Sequence, residues 1–141
     1  MHHDDFQLAG FTPYLLNQAA EAQSLIFSAI YKDRYGMLRN EWRVLFHLGR
    51  YGEMTAKDIS EKAMIHKTKI SRAVRALEEK RFLAREVSEE DRRAERLTLR
   101  APGREAFEYL VKAAGEYEDR LAGKLGQDEV QMLKALLKKL L

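Results

Sequence analysis

Apolar residues recur at helical spacing along most of the chain. In the first segment Leu15, Ala19 and Ala22 follow one another at intervals of three or four residues, and Gly36 is placed to end that helix. Asn40 is predicted to cap a second helix, which ends at a turn at 51–52. Four further helices are predicted at about 55–63, 66–80, 102–121 and 127–140, with Gly123 and Gly126 interrupting between the last two. The run Thr55-Ala56-Lys57-Asp58 resembles a capping box that opens the first of these four helices.

The third and fourth predicted helices are joined only by Met64 and Ile65. Two short helices joined by a tight turn form a helix-turn-helix pattern. Segments 82–87 and 96–99 then have the composition of strands, and the loop from Ser88 to Glu95 is too charged to be buried. The pattern predicts a mainly α chain in which a small β-hairpin, or wing, follows the helix-turn-helix.

Composition narrows the class of protein. A length of 141 residues suits one domain, and 45% apolar with 33% charged residues is typical of globular proteins. The absence of cysteine excludes disulfides, thiolate metal sites and a cysteine nucleophile. No apolar run approaches the roughly 20 residues of a membrane span, and the acidic start is unlike a signal peptide. We therefore expect a cytoplasmic protein.

Positive charge is concentrated in the middle of the chain. The net charge is +3, but residues 66–104 contain twelve basic and seven acidic residues, which gives that segment +5 and the remainder −2. Such a distribution favours a polyanionic partner that contacts one segment.

The predicted fourth helix has two chemically distinct faces. A helical period places Ile70, Ala73, Val74 and Leu77 on one side and hydroxyl-bearing and basic residues on the other. An α-helix fits the DNA major groove, where Arg reads guanine and Ser, Thr and Lys contact bases or phosphates. The charged loop adds two arginines that suit a narrow minor groove. The alternative for the helix is a polar face that only contacts solvent. The alternative for the loop is a solvated turn in which Asp91 and the neighbouring glutamates pair with the arginines.

These residues resemble the MarR (multiple-antibiotic-resistance repressor) family of winged-helix transcriptional regulators. The most specific resemblance is the run 67–78, followed by Asp91-Arg92-Arg93, Leu97-Thr98-Leu99 and Gly103. Three residues depart from the family pattern, namely His66, Arg81 and Arg100. The resemblance implies DNA contacts by the following helix and wing residues: Lys67, Thr68, Lys69, Ser71, Arg72, Arg75, Arg92 and Arg93.

The resemblance also implies an organisation and a mode of action. The chain is expected to be a single MarR-like domain over 1–141, in which a winged helix-turn-helix is embedded in an α-helical dimerisation domain. The DNA-binding lobe is expected at about 37–100 and the dimerisation helices at about 14–35 and 102–141. The implied function is a homodimeric repressor that a small ligand releases from a pseudo-palindromic operator. Activation of transcription remains an alternative to repression.

The last helix supports a dimer independently. Val130, Leu133, Leu137 and Leu140 form one apolar stripe, widened by neighbouring apolar side chains. Burying each leucine contributes about 1.5–3 kcal/mol, so an exposed stripe is disfavoured. Packing against the first helix of the same chain is the alternative, and both contacts are compatible.

Small aromatic acids and phenols release many family members from DNA. The corresponding region here contains rings that can stack on a ligand and an arginine that can pair with a carboxylate. The alternative for each aromatic residue is that it packs in the protein core and does not contact a ligand. The candidate ligand-binding residues are Tyr14, Tyr31, Arg34, Tyr35, Trp42, Phe46 and His47.

Other functions have weaker support. None of the hydrolase, nucleotide-binding or zinc-protease motifs occurs, so we do not expect an enzyme. The start Met1-His2-His3 has a geometry that holds Cu(II) or Ni(II), which leaves a metal-responsive regulator as an alternative. A protein-interaction dimer that does not read DNA is a further alternative. We predict no cofactor and no metal site.

Overall fold

A computed structural model describes residues 2–87, 89–90 and 94–141. Two short 3-10 turns, His3–Asp5 and Leu8–Gly10, precede the first helix. The helices are α1 Thr12–Tyr35, α2 Arg39–Tyr51, α3 Ala56–Ala63, α4 Lys67–Glu79, α5 Ala101–Leu125 and α6 Gln127–Lys139. The strands are β1 Met54–Thr55, β2 Leu83–Val87 and β3 Glu95–Leu99. No helix in this described part of the chain is long and apolar enough to span a membrane.

The three strands form one antiparallel sheet in the order β1-β3-β2. Strands β2 and β3 pair from Leu83 with Leu99 to Val87 with Glu95, which confirms the predicted hairpin. The two-residue strand β1 pairs on the other edge of β3, with Met54 opposite Leu97. Strand β1 was not predicted, because two residues are too few to show an alternating pattern.

Local signals at the helix ends are mostly confirmed. The Thr55 hydroxyl accepts a hydrogen bond from the Asp58 N–H (3.1 Å), and the Asp58 carboxylate accepts one from the Thr55 N–H (3.2 Å). Gly36 ends α1 in the left-handed conformation at φ 65°. These bonds complete the predicted capping box and the predicted helix stop.

Two predicted helix boundaries are wrong. The N-cap of α2 is Leu38, not Asn40, because the Glu41 carboxylate accepts the Leu38 N–H at 3.1 Å and moves the helix start upstream. Gly123 does not interrupt α5, which continues to Leu125. A single glycine costs about 1 kcal/mol in a helix, which a 25-residue helix packed on the core tolerates.

The core lies where α2, α4 and the sheet meet. The predicted apolar face of α4 is buried, with Ile70, Val74 and Leu77 each at most 1% exposed. These residues belong to one cluster with residues from α1, α2, α3, α5 and the sheet. The remaining members of the cluster include Tyr31, Met37, Val44, Leu45, Leu48, Ile59, Leu83, Leu97 and Leu110.

The start of α5 passes close to the start of the hairpin. The Phe82 carbonyl accepts a hydrogen bond from the Arg100 N–H at 2.9 Å. Gly103, buried in the first turn of α5, approaches the same carbonyl so closely that a Cβ there would overlap the oxygen. Only glycine fits this approach without moving the backbone.

We expect Gly103→Ala to lower the free energy of unfolding by about 1–3 kcal/mol, because the new methyl group overpacks a rigid carbonyl. Urea denaturation measures the change. Gly115→Ala in the same helix is the matched control, since a methyl group added there would meet no heavy atom within 4 Å. That control should instead stabilise the protein by about 0.5–1 kcal/mol. Equal effects of the two substitutions would contradict the close approach.

Candidate nucleic-acid interface

The turn between α3 and α4 is held by hydrogen bonds within a few residues. The Ile65 N–H donates to the Ser60 carbonyl at 3.2 Å, and the Ser60 hydroxyl donates to the Ile65 carbonyl at 2.5 Å. Met64 takes the left-handed conformation at φ 57°, and its side chain is largely exposed. The short connection therefore fixes the two helices in a helix-turn-helix arrangement.

His66 caps α4 in an unusual way. Its ring Nδ1 accepts a hydrogen bond from the Thr68 N–H at 3.2 Å, the role that an aspartate or serine side chain usually performs. Although His66 departs from the MarR family pattern, α4 therefore still has a side-chain cap at its start. Arg100, the N-cap of α5, makes no side-chain capping bond.

The exposed side of α4 presents the polar residues that the sequence singled out. The opposite side is fully occupied by the buried stripe, so these side chains all lie on the solvent-facing surface. Arg75 lies 3.6 Å from Glu79, but both side chains are at least 70% exposed, and such a pair contributes little. The six exposed residues are Lys67, Thr68, Lys69, Ser71, Arg72 and Arg75.

Lys57, which was not among the predicted DNA contacts, extends this surface. It lies in the first turn of α3 and lines a groove together with His66, Lys67 and Ser71. The signal for Lys57 was its place directly inside the capping box of α3, where the helix-turn-helix pattern brings it next to the start of α4. Lys57 therefore adds a positive charge next to the basic surface of α4.

The remaining predicted DNA contacts, Arg92 and Arg93, were expected in the loop of the hairpin. Arg92, Arg93 and Asp91 lie outside the described residues. At the base of the hairpin, Arg85 donates to Glu78 at 3.0 Å and to Glu95 at 2.9 Å. The hydrogen bond to Glu95, together with the charge of Glu78, raises the pKa of Arg85. Arg85 therefore links the end of α4 to both strands.

The end of α4 departs from favourable backbone geometry. Arg81, which stands where the MarR pattern has glycine, is in the left-handed region at φ 62°. A Cβ in the left-handed region costs roughly 1 kcal/mol.

We expect Arg81→Gly to raise the free energy of unfolding by about 1 kcal/mol, because glycine removes that backbone strain. Arg81→Ala is the control, since it removes the same charge but keeps a Cβ. Chemical denaturation should show Gly more stable than Ala at this position. Indistinguishable stabilities would show that the left-handed conformation carries no strain.

A separate cavity of about 400 Å³ lies between α1, α2 and α5. Phe27, Trp42 and Phe46 pack edge to face, with centroids of consecutive rings 5.0–5.5 Å apart. The full lining is Gln23, Ser24, Phe27, Trp42, Phe46, Ala114, Tyr117 and Glu118.

The cavity brings together only two of the seven predicted ligand-binding residues, Trp42 and Phe46. Tyr31 is a core residue at 2% exposure, and Tyr14 is exposed near the start of α1. His47 donates from Nδ1 to the Arg43 carbonyl at 2.6 Å, which directs its ring along α2. The predicted set is therefore dispersed, because helical spacing alone does not show which side of α1 and α2 faces the cavity.

Arg34 is engaged elsewhere. Its guanidinium lies 3.9 Å from the centre of the Tyr109 ring, and its Nε donates to the Tyr35 hydroxyl at 3.2 Å. The hydrogen bond to Tyr35 raises the pKa of Arg34. Neither Arg34 nor Tyr35 lines the cavity, so the predicted pairing of Arg34 with a ligand carboxylate has no geometric support there.

Tyr117, which lines the cavity from α5, was not among the predicted ligand-binding residues. Its hydroxyl donates to Gln23 Oε1 at 2.5 Å and so links α5 to α1. Burial raises the pKa of Tyr117, and the charge of Glu118 raises it further. The phenol is therefore protonated at neutral pH and acts as a hydrogen-bond donor.

Both ends of the chain leave apolar side chains exposed. Val130 of α6 is buried within the chain, but most of the predicted stripe is not. The burial of Val130 partly confirms the predicted packing of α6 within the chain, while the leucines of the stripe stay exposed in the single chain. The exposed large apolar residues of segments 6–16 and 132–141 include Phe6, Leu8, Phe11, Leu15, Leu16, Met132, Leu133, Leu136, Leu137, Leu140 and Leu141.

A helix-turn-helix followed by an antiparallel hairpin, with a third short strand, defines a winged-helix protein. A family profile described as the MarR family matches residues 35–94. The transcriptional regulator PapX of Escherichia coli is 30% identical over 109 residues, which cover 76% of this chain and 66% of PapX. The chain thus belongs to the MarR family. It spans between 53% and 66% of the length of the curated relatives it matches.

Solved structures share the fold over nearly the whole chain. A MarR/EmrR family transcriptional regulator from Acinetobacter sp. ADP1 is 28% identical, with a TM-score of 0.83 over 96% of this chain and 95% of that one. NadR in complex with 4-hydroxyphenylacetate is 26% identical, with a TM-score of 0.73 over 89% of this chain and 88% of NadR.

Proposed function

We propose that this chain is a sequence-specific DNA-binding transcriptional regulator that acts in the cytoplasm as a homodimeric repressor. The observation that carries the proposal is the exposed polar and basic face of α4, held outward by a fully buried apolar face. PapX, the curated relative, is named as a helix-turn-helix transcriptional regulator, which supports the same function. No enzymatic activity is part of the proposal.

DNA reading is assigned to the lobe at about 37–100. In the proposed complex α4 enters the major groove, where Arg72 and Arg75 contact base edges and Lys67 and Lys69 contact phosphates. Thr68 and Ser71 have short hydroxyls that suit either partner. Arg92 and Arg93, which lie outside the described residues, are proposed to contact the minor groove.

The helices at about 14–35 and 102–141 are assigned to the dimer. Exposed apolar residues on α1 and α6 support this assignment, because burying them against a second copy removes them from water. A two-fold dimer places two copies of α4 about one DNA turn apart, roughly 34–36 Å, which requires a pseudo-palindromic operator.

The cavity between α1, α2 and α5 is the proposed effector site. Its volume of about 400 Å³ and its aromatic walls suit a small aromatic ligand. NadR, a relative of similar fold, is described in complex with 4-hydroxyphenylacetate, which makes that phenolic acid a sensible first probe. Binding there is proposed to favour a conformation of α2 and α4 that reads DNA poorly.

Fluorescence anisotropy on duplex DNA from upstream of the protein's own gene, against a scrambled duplex, tests the proposal. We expect tighter binding to the upstream duplex, with affinity that falls as salt rises. Addition of 4-hydroxyphenylacetate and related phenolic acids then tests release. Equal and weak binding to both duplexes, followed by no enrichment in a random-sequence selection, would contradict the proposed function.

Arg72→Ala and Arg75→Ala are each expected to weaken specific DNA binding by about 1–3 kcal/mol, because each removes a base contact. Arg120→Ala, an exposed arginine on α5, is the charge-matched control and should bind as the unsubstituted protein does. Anisotropy titrations on the cognate duplex measure the changes. Unchanged binding by both α4 variants would show that α4 does not read DNA.

Leu136→Glu is expected to shift the protein from dimer to monomer, because it places a charge in the apolar surface proposed as the interface. The side chain is 50% exposed in the single chain, so the folded monomer should tolerate the change. Gln131→Glu, an isosteric change at an exposed position of α6, is the control.

Sedimentation velocity at micromolar concentration measures the oligomeric state. A monomeric unsubstituted protein, or a Leu136→Glu variant that stays fully dimeric, would contradict the proposed interface.

A further inference from the structure

Glu41 stands out among the residues that the structure describes, because it is their one buried charged side chain, at 5% exposure. It lies in the first turn of α2, beside Ala73 of α4 in a groove that Lys69 and Arg72 also line. Removing a carboxylate from water is costly unless the charge is paired and hydrogen-bonded. Its partners therefore indicate why a charge is placed there.

The two carboxylate oxygens of Glu41 have different partners. Oε2 accepts the Leu38 N–H at 3.1 Å and so caps the start of α2. Oε1 accepts from Lys80 Nζ at 3.3 Å, and Lys80 is the residue that ends α4. One side chain thus connects the first turn of α2 to the last turn of α4, across 39 positions of sequence.

An ion pair of this kind is not needed for packing alone. Buried ion pairs are often no more stabilising than apolar residues of the same size, whereas removing one partner is strongly destabilising. The apolar contacts in the α2–α4 core are non-directional and by themselves permit small changes in the angle between the two helices. A hydrogen-bonded ion pair restricts that movement, because its energy depends on distance and angle.

The position of the pair also relates the two candidate sites to each other. Trp42, the residue next to Glu41, forms part of the cavity wall. The carboxylate of Glu41 holds the end of α4, the helix that carries the basic face. Adjacent residues of α2 thus contact the cavity and α4.

We infer that Glu41 and Lys80 form a tether that fixes α4 against α2 at the angle required for DNA reading. Glu41 is accordingly a positioning residue, and Lys80 acts through Glu41 rather than by contacting DNA. This inference rests on the proposed DNA-binding function.

Four variants test the tether: Glu41→Gln, Lys80→Gln, the double variant with both changes, and Lys80→Arg. Glutamine at position 41 keeps an oxygen that accepts the Leu38 N–H, so the cap of α2 is preserved. Arginine at position 80 keeps the charge and donors that the pair requires. Affinities are measured for a selected cognate duplex and a scrambled duplex at several salt concentrations, below the unfolding temperature of each variant.

We expect each glutamine variant to bind the cognate duplex on the order of tenfold more weakly, and the double variant no more weakly than either single one. Lys80→Arg should bind like the unsubstituted protein. Affinity for the scrambled duplex and the salt dependence of binding should not change, because no phosphate contact is lost.

Additive losses in the double variant would overturn the inference. So would a Lys80→Gln variant whose salt slope falls by about 1 while Glu41→Gln binds normally, because that result would make Lys80 a phosphate contact. If Glu41→Gln fails to fold, the test is the comparison of Lys80→Gln with Lys80→Arg. Equal affinities of these two variants for the cognate duplex would overturn the tether.

The proposed function is judged separately, from the preference of the unsubstituted protein for cognate over scrambled DNA. If that preference is present and the cycle is additive, only the tether fails. If no duplex is preferred and the selection enriches no sequence, both the tether and the proposed function fail.

Discussion

The packing of α2 against α4 is the interaction on which the rest of the structure depends. Within the described residues it is the most extensive contact between two helices, and Val44, Leu45, Ile70 and Val74 are at most 1% exposed. Because α4 buries one side so completely, the other side has to face solvent. The basic, hydroxyl-bearing surface is therefore a direct consequence of how the core forms, and it is presented on a rigid support.

The same helix α2 contributes to both candidate sites. Its buried side supports α4, while Trp42 and Phe46 on another side form part of the cavity. A ligand that binds one conformation of α2 better than another shifts the population of α4 orientations by its difference in affinity. Small displacements of α2 are enough, since base reading by α4 depends on hydrogen-bond geometry.

Features that depend on local sequence were predictable. The buried stripe of α4, the capping box of α3 and the end of α1 at Gly36 each follow from a few neighbouring residues. The two wrong helix boundaries, at Asn40 and Gly123, arose where a local signal was weaker than a competing side-chain bond or the length of the packed helix.

Features that depend on distant contacts were not predictable. The Glu41–Lys80 bond joins residues 39 positions apart, and nothing in the local pattern of either helix indicates it. The cavity likewise combines Phe27, Trp42 and Tyr117 from three helices, whose relative rotation a helical period does not determine. For that reason the predicted α4 residues share one exposed face, whereas only two of the predicted ligand-binding residues line the cavity.

Selection of bound duplexes from a random-sequence library tests the central claim most directly, namely that two copies of α4 read DNA from one rigid dimer. We expect enrichment of an inverted repeat whose half-site centres lie about 10 base pairs apart, one turn of DNA. Enrichment of a single unrepeated site, or of no sequence at all, would contradict that claim.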